Sequence, residues 1–405
     1  MQEDGKGVPC DVATSTSLSE DGNNAVDENE YVANNDSVLS ESNQPQDTST
    51  EVALANTVWI ANAPNDSERE IDPGLSGDSA TANSNEKSSA QGEQRTPEQI
   101  RRKAVGHQAA IVWGFFLVWA VLQVLAGIFG SLGKMDSPSL DAWINLFTEP
   151  IAVLVVLLAT GTLSRSKSTE GKANYHCAIR FSSRKTITWK ELLIIVVTVT
   201  AVSAVGDVFG SGFQGLLDMF GLKQHDTMTE IDTMVNHSMI GLLDVVLIGP
   251  VIEELLMRGI IMSALERYGR IFAIVTSSLL FGFMHGDISQ GFAAVLYGLE
   301  LGWIACEYSI GWSIAMHIFN NLVLAEGLNA LFAMLNDPMS SILEAVFDGF
   351  FIVLAIALLI CNRRKVAAWY RDNKTPRHTY RGWQSPLFIF TLVAFGLFAL
   401  SRIGF

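Results

Sequence analysis

Three pairs of residues spaced four apart stand in apolar stretches of this chain. Glu254 is followed by Arg258 in Gly249-Pro-Val-Ile-Glu-Glu-Leu-Leu-Met-Arg-Gly259, with Glu253 directly before it; Phe281 is followed by His285, and His317 by Asn321. Adjacent carboxylates within an apolar helix are expensive, so they mark chemistry or transport. A carboxylate withdrawn from water is a competent general base toward a water molecule. Glu, two His and an Asn together fit a hydrolase.

Helical geometry divides the roles. Residues four apart share a face, so Glu254 and Arg258 can form an ion pair that offsets part of the cost of burying either. Glu253 points about 100° away around the helix and needs another partner, which makes it the candidate base. A single His in an apolar helix is usually a packing residue; two of them, in separate segments and each with a neighbour at helical spacing, are not so easily set aside. Glu253 precedes the turn near Tyr268-Gly269 by about as many residues as His285 follows it. At about 1.5 Å per residue the two reach similar depth on antiparallel helices. His317 lies only a few residues beyond Gly311-Trp312, and its depth matches less well.

The elements that must position these residues are helices in a membrane. Apolar runs, several near the 20 or so residues needed to cross a bilayer, are expected at 107–131, 142–163, 189–212, 238–264, 270–286, 290–306, 312–335, 341–361 and 386–402. They lack the period-two alternation of a membrane barrel, which leaves helices. The expected fold is an all-α, polytopic transmembrane bundle of eight or nine spans. Basic clusters at Arg101-Arg102-Lys103, from Arg165 to Lys185 and from Arg363 to Arg381 fall on one side of an alternating path. That path puts the N-terminus in the cytoplasm of an integral, multi-pass cell-membrane protein. Trp143, Trp189, Trp312 and Trp383 suit the interfaces.

The bulk composition is that of two unlike parts. Residues 1–95 carry 19 Asp/Glu and 4 Lys/Arg, a net −15, while the other 310 residues carry 23 of each. The acidic part, poor in large apolar side chains, cannot bury enough surface to offset its ordering entropy. Residues 1–100 are therefore expected to be a disordered cytoplasmic tail, with Val52 to Ile60 its only candidate for local structure, and residues 101–405 the membrane domain. A tail of this charge argues against nucleic-acid binding. Met1-Gln-Glu-Asp does not open a secretory signal. Cys10, Cys177, Cys306 and Cys361 show neither metal spacing nor a disulfide framework.

Taken in order, Glu253-Glu254-x-x-x-Arg258, Phe281-x-x-x-His285 and His317-x-x-x-Asn321 resemble the three signatures of the CPBP intramembrane proteases. That family includes the type II CAAX prenyl endopeptidases and the Abi bacteriocin-processing and self-immunity proteins. The resemblance covers about residues 238–325, with the protease core reaching 335. It implies a bundle of the eight-helix type with a conical cavity in the membrane. It also implies that Glu253 and His285 activate water and that His317 and Asn321 bind the oxyanion, with Glu254, Arg258 and Phe281 in support. The substrate implied is a peptide or membrane-associated protein, in contact with the lipid bilayer.

The expected chemistry needs no cofactor. A Zn²⁺ held by Glu253, His285 and His317 is the alternative, set against it by the absence of a His-Glu-x-x-His helix and by the origin of the two His in different spans. Two other readings stand beside the protease: a non-catalytic immunity or scaffold protein of the same fold, and a transporter relaying protons through Glu253 and the His residues. Asp207, Asp244, Glu300 and Glu326 have no signature role.

Overall fold

The computed structural model describes residues 95–132, 138–160, 184–224, 238–336 and 338–404. The acidic tail up to residue 94, with Val52 to Ile60 and Cys10, lies outside them, as do Cys177 and most of the basic stretch after Arg165. The apolar runs fold as helices, the form in which every backbone N–H and C=O finds a partner within its own segment. They are α1 (Pro97–Leu132), α2 (Pro138–Ala159), α3 (Trp189–Met219), α4 (residues 239–265), α5 (Arg270–Met284), α6 (Ile288–Glu307), α7 (residues 310–333), α8 (Met339–Asn373) and α9 (Pro386–Ser401). A 3-10 turn, Arg377–Gln384, joins α8 to α9. A short antiparallel pair, β1 (Lys223–Gln224) with β2 (Ile403–Gly404), ties the end of α3 to the end of α9.

Four of these helices, α1, α3, α6 and α8, are long and apolar enough to cross a membrane; the 3-10 turn with α9, bent by 68°, makes a fifth if the pair is one span. Their outer faces carry large apolar side chains in the open, such as Leu117, Phe129, Val353 and Phe390. A surface of that kind suits lipid rather than water. The remaining apolar runs are helical too, but the apolar stretches Trp143–Ala159 of α2 and Arg270–Met284 of α5 are shorter, and α4 and α7 are interrupted.

Local sequence sets the helix starts. Thr188 and Glu191 form a reciprocal capping box at α3, and Ser238, Asp287 and Ser309 cap α4, α6 and α7 through their side-chain oxygens. Such caps satisfy backbone donors that the first turn leaves open. Between α5 and α6 the chain reverses at Gly286, whose φ of 63° favours glycine.

α5 and α6 then pack at very short range. A Cβ on Gly282 would come 2.2 Å from Val295 Cγ2 and 2.6 Å from the Gly291 carbonyl, and one on Gly298 would stand 3.2 Å from Ser278 Cα. Small residues at such crossings let helix backbones approach where lipid offers no hydrophobic drive for association. α6 also packs on α3, α3 on α8, and α1 on α2 and α9. The core that results centres on Leu256, Met257, Ile261, Leu265, Phe272 and Phe281.

Two helices change their winding. α4 passes from α (Met239–Leu243) to π (Asp244–Ile248), back to α (Gly249–Glu254), and again to π (Leu255–Met262) before Ser263–Leu265. α7 runs as α over Ile310–Phe319, as π over Asn320–Leu328 and as α over Asn329–Ala333. Pro250 gives the first π segment a physical cause, because it lacks an N–H and its ring crowds the carbonyl four residues back, at Val246. Widened turns of this type gather at functional sites. Here they flank the two glutamates and follow His317.

Candidate active site

Glu254 is completely buried, and three groups surround its carboxylate. Arg258 Nη1 donates to Oε1 at 2.6 Å, Ser313 Oγ lies 2.5 Å from Oε2, and His317 Nδ1 lies 3.2 Å from Oε1. Arg258, itself buried, also donates from Nη2 to the Gly298 carbonyl at 3.1 Å, and its guanidinium sits 4.8 Å from the centre of the Phe281 ring. The close packing at Gly298 is thus what brings a backbone acceptor of α6 to this arginine. A buried carboxylate needs such compensation, since its desolvation otherwise exceeds what one ion pair returns.

His317 is the joint of the arrangement. A carboxylate only accepts, so the contact with Glu254 assigns the proton of this imidazole to Nδ1. That leaves Nε2 on the opposite edge of the ring, 3.6 Å from Glu253 Oε2. The ring is held on its faces as well. Phe281 meets it edge to face at 5.9 Å and Tyr297 at 5.4 Å, while the Tyr297 hydroxyl donates to the Met316 carbonyl at 2.7 Å. Unlike Glu254, the Glu253 side chain keeps 29% of its surface exposed. It is the carboxylate of the pair that a substrate or water can reach.

His285 occupies the C-terminal end of α5. Its Nδ1 lies 2.7 Å from the carbonyl of Phe281, an acceptor, so this imidazole also carries its proton on Nδ1 and presents Nε2. Its ring stands against Phe281 at 4.8 Å. Among the described residues no hydrogen bond or ion pair joins His285 to Glu253. His285 and His317 instead flank the same Phe281 ring. Asn321 donates from Nδ2 to the Val245 carbonyl at 2.9 Å and accepts from Asn320 at 3.1 Å, so the π segment of α7 is fastened to the first π segment of α4.

The seven residues singled out in the sequence therefore divide into a packed group and two outliers. Glu253, Glu254, Arg258, Phe281 and His317 are linked by direct contacts. His285 joins them through Phe281, and Asn321 lies one turn beyond His317, held to Val245. His317 comes closer to the glutamates than counting along the chain suggests, because α7 packs directly on the Gly249–Glu254 turn. Zn²⁺ would need a third ligand beside Glu253 and His317, and among the described residues no group of three or more His, Cys, Asp and Glu side chains is placed to hold a metal ion.

Sequence reasoning missed Ser313 and Tyr297. Ser313 did carry a signal, since it precedes His317 by four residues and so shares its face. Tyr297 carried none, because its place depends on the packing of α6 against α7. Glu149 on α2 was also missed; with Asp244 it lies within electrostatic range of Glu253. Asp244 is buried, with Oδ1 lacking a hydrogen-bond partner among the described residues.

Residues 235–323 match the family model described as Rce1-like, type II CAAX prenyl endopeptidase. The matched segment takes in all three motifs, and it agrees with the family they resemble. It supports a CAAX-protease-like fold for this part of the chain. No curated protein and no solved structure matches the chain.

Proposed function

We propose that this protein is an intramembrane endopeptidase that hydrolyses a peptide bond in a peptide or membrane-associated protein through water activated by Glu253. The observation that carries the reading is the imidazole of His317, fixed by Glu254 on one edge and facing Glu253 with the other. In this scheme Glu253 takes a proton from water as the oxygen bonds to the carbonyl carbon. The tetrahedral oxyanion is met by donors from Asn321 and a protonated imidazole. The proton then passes to the leaving nitrogen as the C–N bond breaks, and Glu253 returns to its starting state.

The tautomers set what each imidazole can do. With Nδ1–H held by the Phe281 carbonyl, neutral His285 offers Nε2 as an acceptor, which suits orientation of water beside Glu253. His317 offers Nε2 in the same way and becomes a donor there only in the doubly protonated ring. The short path between Glu253 and Nε2 of His317 suits transfer of the proton that Glu253 collects, and a ring charged by that proton is then a donor to the oxyanion. Each step is carried by this chain's own residues, with no resident metal ion.

The same proposal extends to topology: eight or nine spans, a cytoplasmic N-terminus and a disordered acidic tail, in an integral cell membrane. The experiment is peptide cleavage by the full chain in lipid nanodiscs, comparing wild type with Glu253→Gln. Loss of cleavage with unchanged thermal stability is expected; cleavage that survives the substitution refutes the mechanism.

A further inference from the structure

The membrane-proximal end of α8 carries cations that the catalytic reading does not use. Its apolar run, 341–361, is about the length of a bilayer's hydrocarbon core, and the same unbroken helix continues through Asn362 to Asn373. Arg363, Arg364 and Lys365 follow within about 6 Å of the end of that run, at 1.5 Å per residue. The headgroup layer extends roughly 5–8 Å beyond the hydrocarbon on each side, so these three side chains lie at its depth.

All three are exposed, and none has an ion-pair partner among the described residues. Elsewhere at this end of the molecule cations do find acidic groups: Arg381 pairs with Glu98 at 3.0 Å, Arg102 with Glu98 at 2.5 Å, and Arg270 with Glu307 at 3.5 Å. The Arg381–Glu98 pair, with a hydrogen bond from Arg102 to Gln384, fastens the first turn of α1 to the 3-10 turn before α9, while Arg270 and Glu307 join α5 to the end of α6. The links of α1 bring exposed Lys103 to the same end of the bundle. Exposed Val366 and Tyr370 complete the profile with apolar side chains beside the charges.

We infer that the α8 end bearing Arg363, Arg364 and Lys365 is a docking surface for the headgroups of anionic phospholipids in the leaflet that surrounds it. The chemistry favours that occupant. Guanidinium forks pair with phosphate oxygens in two parallel hydrogen bonds, and an adjacent run of cations at a span end is attracted by an anionic surface. Continuity with an apolar span supplies the rest, because any lipid beside α8 presents its phosphate at this level.

The test uses the full chain in nanodiscs of phosphatidylcholine with about one-third phosphatidylserine, a composition chosen to keep the anionic surface well populated. Native mass spectrometry of the released protein reads the class of lipid retained. Wild type should retain phosphatidylserine above its bulk share, and Arg363→Gln/Arg364→Gln/Lys365→Gln should lose most of that excess, since each cation near the surface contributes up to about fivefold. Arg363→Lys/Arg364→Lys should keep part of it. Should the triple variant fail to fold, the single Arg364→Gln and a salt titration of wild type take its place, with the excess expected to fall in both. Retention at the bulk ratio by wild type, or an excess indifferent to both the substitutions and salt, overturns the inference.

Discussion

The imidazole of His317 lies between two carboxylates that are neighbours in sequence, with Nδ1 3.2 Å from Glu254 and Nε2 3.6 Å from Glu253. Consecutive residues on a helix point about 100° apart. They can touch one ring only because its two nitrogens lie on opposite edges. One carboxylate is fully enclosed and fixes the ring; the other is partly open and faces what enters.

Replacing Glu253 by Gln keeps the shape and removes the proposed base. Peptide cleavage should fall by roughly 10²–10⁴-fold, the range of a lost general acid–base, while the melting temperature stays within a degree or two of wild type. A melting temperature that drops together with activity would reassign Glu253 to stability.

Glu254→Gln should act in the opposite sense. It leaves Arg258 as an uncompensated charge inside the bundle, and breaking a buried pair from one side costs about 3–5 kcal/mol. Ser313→Ala removes only the hydroxyl beside Glu254 Oε2, at about 1–3 kcal/mol. Denaturation of the detergent-solubilised protein should rank wild type above Ser313→Ala, and Ser313→Ala above Glu254→Gln.

Gly282→Ala probes the α5–α6 crossing. The added methyl would meet Val295 and the Gly291 carbonyl well inside contact distance, and forcing such a crossing apart costs about 1–3 kcal/mol or more. Because α6 also carries Gly298, the backbone acceptor of Arg258, activity should fall with stability. Full activity at wild-type stability would show that the crossing is slack.

Strong chelators should leave cleavage unchanged if the water is activated by Glu253 alone. Loss of activity on chelation, with recovery on adding Zn²⁺, would restore the metal reading through Glu253, His285 and His317.

Asn321→Ala separates two roles for one amide. It removes the proposed oxyanion donor, worth about 10²–10³-fold in kcat where such donors act, and it also frees the Val245 carbonyl. Asn321→Ser, which keeps a shorter donor, should recover part of the rate. An equal loss in both variants with lowered stability would mark Asn321 as a fastener between α4 and α7.

Much of the molecule is written in local pattern. Apolar runs locate the helices and i, i+4 spacing pairs Glu254 with Arg258, while the side-chain caps at Thr188, Ser238, Asp287 and Ser309, equally local, emerge from the structure. These features depend on neighbours within one or two turns, and a sequence records such neighbours directly.

What surrounds Glu254 could not be read that way. Ser313 and His317 come from α7, the Gly298 carbonyl from α6 and the Phe281 ring from α5, and their convergence rests on α5 and α6 packing at glycine distance. The π turns are equally hidden, since one residue of extra winding rotates everything after it without changing the spacing of the letters. Sequence singled out the residues of the candidate site and showed that they lie in helices. Tertiary packing decided that His317 is the side chain in contact with both glutamates, because the meeting of separate helices is fixed by shape and close approach and leaves no periodic trace in any one of them.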